Sequence, residues 1–126
     1  MSMKFYKCVH CGNVITKLVD SGIPVVCCGE KMVELVPNTS DGAKEKHVPV
    51  VTVKGSIVTV NVSTVEHPSL ENHYIQWIAI ETENGYEVKN LKPGDKPQAQ
   101  FVLGEGDKVV AAYEYCSLHG LWKTQL

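Results

Sequence analysis

Beyond residue 47 the chain alternates, and this constrains its fold more than any other feature. Seven short runs (48–53, 56–63, 74–81, 86–91, 98–103, 108–116 and 121–125) are rich in β-branched and aromatic residues and mostly switch between apolar and polar at each step. Val58, Val60 and Val62 fall on one face of their run, and Ile75, Trp77 and Ala79 are expected to share a face of theirs. A period of two suits a pleated strand with one buried face, and no window of useful length has the longer period of a helix. The runs are separated by turn formers: Lys54-Gly55, Glu83-Asn84-Gly85, Lys92-Pro93-Gly94-Asp95 and Gly104-Glu105-Gly106-Asp107. Seven short strands over about 80 residues predict an antiparallel β-sandwich of immunoglobulin type, although the Cys–Trp–Cys pattern of antibody domains is absent. Trp77, Trp122 and the tyrosines are then core or rim residues with no catalytic role.

The first third of the chain reads differently. Pro37-Asn38-Thr39-Ser40-Asp41-Gly42 is a run of turn formers and divides the chain into a module at 1–36 and a β domain at 37–126. The module carries Cys8-Val9-His10-Cys11-Gly12, a C-x-x-C knuckle whose glycine permits a tight bend. Cys27-Cys28-Gly29 follows after an intervening strand-and-turn segment. A piece this small cannot bury enough apolar surface to hold itself together, and a metal gripped by four cysteines provides the staple. Spacing alone leaves zinc and iron open. The second pair is adjacent, so both sulfurs cannot reach ideal tetrahedral positions from a regular strand. His10, inside the knuckle, reads as a solvated loop residue, because four thiolates already complete the shell.

The compartment decides how the cysteines are read. The N-terminus has no apolar run of the signal-peptide kind, and no stretch approaches the roughly 20 apolar residues that span a bilayer. A cytoplasmic, reducing setting is expected, where clustered cysteines bind metal more often than they pair. A net charge of −2 argues against nucleic acid as a partner.

One cysteine remains. Cys116 ends the sixth run, and His119 follows in the turn before Gly120. His47 opens the first run, and His67 and His73 flank Pro68-Ser69-Leu70-Glu71-Asn72, where Pro68 is suited to start one helical turn. Every histidine except His10 thus falls at a strand end or loop, which points to one shared metal. Structural zinc stops at four ligands, catalytic zinc keeps three plus water, and blue copper uses two histidines and one cysteine. Four imidazoles and one thiolate leave one octahedral position open, which suits iron. Neutral imidazoles favour the ferrous state, and a thiolate opposite the open position pushes electron density toward whatever binds there. Such a site is suited to pass one electron to a small oxygen species.

Together these motifs resemble the desulfoferrodoxins, the two-iron superoxide reductases. The resemblance runs through Cys8-x-x-Cys11, Cys27-Cys28-Gly29, Glu45-Lys46-His47-Val48-Pro49, His67-Pro68, His73-Tyr74-Ile75 and Cys116-x-Leu118-His119-Gly120-Leu121-Trp122, nearly the whole chain. It implies a desulforedoxin-like module holding iron through Cys8, Cys11, Cys27 and Cys28. It also implies a catalytic iron ringed by His47, His67, His73 and His119, with Cys116 axial. Lys46 is implied to attract superoxide, and Glu45 to take the sixth position when the iron is ferric. The family further implies a homodimer and a rubredoxin-like electron donor. Competing readings are an electron-transfer iron protein without oxygen-species chemistry, a zinc protein that binds a partner through its sandwich, and a superoxide dismutase.

Overall fold

The computed structural model describes residues 2–39, 47–62 and 68–126. Glu45, Lys46 and His67 lie outside the described residues. The chain forms two compact units, Met1–Val36 and Pro37–Leu126.

The first unit has five very short strands: β1 (Phe5–Lys7), β2 (Val14–Thr16), β3 (Val26–Cys27), β4 (Glu30–Lys31) and β5 (Val33–Glu34). β1 is central in an antiparallel sheet with β2 and β5, and β3 pairs with β4 as a separate hairpin. Among its described residues only Phe5 and Cys8 are buried, while Leu18, Val19 and Ile23 are 84%, 85% and 70% exposed. Two buried side chains do not offset the conformational entropy of this segment.

The second unit has seven strands among its described residues: β6 (Pro49–Lys54), β7 (Ile57–Val62), β8 (Ile75–Thr82), β9 (Tyr86–Asn90), β10 (Gln98–Val102), β11 (Val109–Cys116) and β12 (Gly120–Gln125). They form two antiparallel sheets, ordered β10-β7-β6 and β12-β11-β8-β9. Val58, Val60, Val62, Ala99 and Phe101 from the first sheet pack against Ile75, Ile78, Ile80, Ala112 and Cys116 from the second. This is a β-sandwich with one core, built by the alternation the sequence carries.

One face assignment differs from the sequence expectation. Trp77 and Ala79 share a face, but Ile75 joins Ile78 and Ile80 in the core between the sheets. The cause is a register slip. Tyr115 pairs with Trp77 but Cys116 pairs with Ile75, so Gln76 has no opposite number on β11. A bulge of this kind inverts the facing of all that precedes it. The segment after Pro68 differs too. Leu70 and His73 exchange backbone hydrogen bonds of 2.9 and 3.0 Å across a tight two-residue turn, which replaces the expected helical turn.

Candidate metal centres

In the first unit, β1 delivers Cys8 to a buried position and the knuckle turns beneath it. The Gly12 N–H donates to the Cys8 carbonyl at 3.0 Å with Gly12 at φ +83°, and the Cys11 N–H points at the Cys8 sulfur at 3.5 Å. The adjacent pair is accommodated by the backbone. Cys28 adopts φ +54° and Gly29 φ +76°, a left-handed step that swings the second sulfur away from the strand direction. Cys11 Sγ then lies 3.6 Å from Cys27 Sγ, and Cys27 Sγ 4.0 Å from Cys28 Sγ. Tetrahedral metal–sulfur bonds of about 2.3 Å give sulfur–sulfur edges of about 3.8 Å. The four sulfurs lie within 4.8 Å of one another, so the set fits a tetrahedral metal.

The protonation balance supports the same fit. Backbone N–H donation, chiefly from Cys11, lowers the Cys8 thiol to about 6. The neighbouring sulfurs, Cys8 first, push Cys28 up to about 12, and Cys11, ahead of Cys8, raises Cys27. Four thiols this close cannot all ionise unless a cation takes up their charge. His10 stands outside the sulfur cluster, with Nε2 3.0 Å from Glu30 Oε1 and both side chains solvent-exposed.

In the second unit, His47, His73, Cys116 and His119 bring their donor atoms within 4.8 Å of one another. Each arrives by a separate device. His47 precedes β6, whose start is tied to β12 by the Thr124 hydroxyl donating to the Pro49 carbonyl at 2.6 Å. His73 follows the tight turn, and the next residue is locked to the end of β11. The Ser117 N–H donates to the Tyr74 carbonyl at 2.9 Å, and the Tyr74 N–H to Ser117 Oγ at 3.1 Å. Cys116 is the last residue of β11, paired with Gly120, so His119 stands in the connecting turn. His47 Nε2 is 3.0 Å from His119 Nδ1, and His119 Nδ1 is 3.8 Å from Cys116 Sγ.

His47 and Cys116 are buried, whereas His73 and His119 keep partial exposure. The cluster thus has a buried side, at Cys116 and His47, and a partly exposed side, at His73 and His119. Burial pushes the Cys116 thiol up, against backbone N–H donation from Leu118 and His119. Glu114, on the same face of β11, is fully buried, and desolvation holds its carboxyl well above the usual range. Three imidazoles and a thiol converging on one point, with the sulfur on the inner side, form a donor set for a mid-row transition metal. The structure brings together four of the five expected residues, and His67 lies outside the described residues.

The aromatic shell carries a feature that sequence reasoning misses. Trp122 stacks on the His47 ring at 5.0 Å and donates its indole N–H to the His119 carbonyl at 3.1 Å. The alternation of β12 marks Trp122 only as apolar; its place three residues after His119 is the one sequence signal for this contact.

A desulfoferrodoxin family model matches residues 39–125. The desulfoferrodoxin of Nitratidesulfovibrio vulgaris is 48% identical over 122 residues, covering 97% of this chain and 95% of that protein. The chain belongs to the desulfoferrodoxin family. A desulfoferrodoxin homolog of Archaeoglobus fulgidus is 43% identical, with 97% of this chain and 96% of that protein covered. The crystal structure of the superoxide reductase from Treponema pallidum superposes with a TM-score of 0.84 at 35% identity, covering 99% of this chain and 100% of that one. Both donor sets are consistent with the two iron centres of a desulfoferrodoxin.

Cys28→Ser removes one corner of the sulfur tetrahedron. Metal analysis of the purified variant is expected to fall from two irons per chain to one, with the His/Cys centre retained. An unchanged iron content would remove Cys28 from the centre.

Proposed function

We propose that this protein is a superoxide reductase, acting at the His/Cys cluster of its second unit. One observation carries the reading: His47, His73, Cys116 and His119 bring their donor atoms within 4.8 Å of one another, with Cys116 buried and His73 and His119 partly exposed, in a chain matched end to end by a superoxide reductase. One electron and two protons convert superoxide into hydrogen peroxide, and an external donor restores the spent electron.

Bound iron supplies the one-electron reducing power. His47, His73 and His119, with His67 as the fourth imidazole the family resemblance implies, would hold it as neutral ligands, and the buried Cys116 would add a thiolate. The backbone N–H groups of Leu118 and His119 that face the Cys116 sulfur withdraw charge from it, which moderates the electron push across the site. Partial exposure of His73 and His119 leaves a route for a small anion to enter, for water to deliver protons and for peroxide to leave.

Lys46, next to His47 in sequence, would supply positive potential that speeds capture of the anion. Glu45, a hard carboxylate, would be the side chain to ligate the iron in its ferric state. The first unit, 1–36, is a four-cysteine iron domain, and 37–126 is the reductase domain. A rubredoxin-like protein serves as donor. A second copy of the chain covers exposed apolar residues such as Leu18, Val19 and Ile23. The setting is cytoplasmic, where cysteines that are in no disulfide stay reduced and available to metal.

Three variants test the parts separately. Cys116→Ser is expected to abolish superoxide reduction while the four-cysteine centre keeps its visible spectrum; retained turnover would place the chemistry elsewhere. Lys46→Ile is expected to slow superoxide capture at low salt by about tenfold and to flatten its ionic-strength dependence; equal rates would dismiss steering. Glu45→Ala should leave capture fast but alter the ferric spectrum, and an unaltered spectrum would take Glu45 out of the site.

A further inference from the structure

Two ligands of the proposed iron site come from opposite ends of the second unit. His47 enters ahead of β6, and His119 stands 72 residues later in the β11–β12 turn. An imidazole turns easily about its outer torsion, which is broad and roughly two-fold. Something must therefore fix the plane of the ring and the seat from which it projects.

One side chain meets both. Trp122 is 1% exposed and lies on β12 directly opposite Glu114 of β11. Its ring lies nearly parallel to the His47 imidazole, with centroids 5.0 Å apart and planes 19° apart. The edge of His119 meets His47 at 4.7 Å and 78°. His47 thus lies nearly parallel to the indole and nearly perpendicular to the other ligand, so tilting its ring out of this plane disrupts one contact or the other. The indole N–H can only donate, and a buried donor needs an acceptor. The acceptor it finds is the His119 carbonyl at 3.1 Å. That carbonyl immediately precedes Gly120, whose φ of +77° turns the chain back into β12. The bond therefore pins the turn from which His119 projects.

We infer that Trp122 is a positioning residue for the iron site, setting the plane of His47 through its ring face and the seat of His119 through its N–H. This inference rests on the reading of the His/Cys cluster as an iron site. It assigns to one residue a role beyond filling the core.

The test uses the two-iron protein. Trp122→Phe keeps an aromatic face but removes the donor. Trp122 can also be replaced by its benzothiophene analogue, in which sulfur takes the place of the N–H at constant shape, in a Trp77→Phe background. Both are compared with parents carrying two irons per chain. The readouts are iron loss to a chelator and the visible and paramagnetic resonance spectra of the ferric His/Cys centre. The four-cysteine centre, in the other unit, serves as an internal control for iron loading, and circular dichroism with thermal melting reports folding of the sandwich. Both replacements are expected to speed iron loss from the His/Cys centre by about tenfold or more and to change its ferric spectrum, with the four-cysteine spectrum unchanged. If Trp122→Phe fails to fold, the shape-preserving analogue decides. Parent rates and spectra in a folded replacement, with no more than a lowered melting temperature, would reduce Trp122 to core filling. A parent protein without iron in the cluster would instead sink the reading on which the inference rests.

Discussion

The register of β11 against its two neighbours is the constraint on which the catalytic cluster depends. Cys116 faces inward because β11 pairs with β8 through a slip at Gln76 and closes on β12 at Gly120. Side chains alternate strictly along a strand, so a shift of one residue would turn the sulfur to the opposite face. The register is fixed from both sides. Ala112 and Cys116 contribute to the same core as Ile78 and Ile80, and the Tyr74–Ser117 bonds lock the bulged end. Once Cys116 is seated, His119 follows from the short turn and His73 from the loop bonded to that turn. Among the described ligands His47 comes from farthest away in the chain, and Trp122 stands against it.

The two units solve the same problem of bringing ligands together in different ways. The sandwich has a core of its own and can hold its donors in place before metal arrives. The first unit buries Phe5 and Cys8 among its described residues and little else, so its metal contributes to its folding as well as to its chemistry. Its adjacent cysteines require a left-handed step at Cys28, a conformation that costs a non-glycine residue about 1–2 kcal/mol. Gly29 at the next position extends the reversal without that cost.

Much of this was legible in the sequence because it rests on local pattern. The strand runs follow from period-two alternation. The two ligand groups follow from residue type at strand ends and from the knuckle spacing. What was not legible depends on pairing between segments. The bulge that turns Ile75 inward exists only once β8 meets β11, and no propensity of Gln76 announces it. The turn after Pro68 is set by Leu70 and His73 exchanging bonds, whereas the sequence offered a proline suited to begin a helix. Trp122 reads as one more apolar residue until the fold sets it against His47. Glu114 alternates as a solvent-facing residue would in an edge strand, yet β11 lies between β8 and β12 and the carboxyl is buried.

A superoxide reductase takes superoxide in one direction only. The direct measurement is the product balance when the fully reduced protein meets a known amount of superoxide. The account predicts one hydrogen peroxide for each superoxide consumed, one electron withdrawn from the protein, and no oxygen. One oxygen and one peroxide for every two superoxide ions would make the protein a dismutase. No reaction at all would leave it an electron carrier with a closed His/Cys site. Either result would contradict the account.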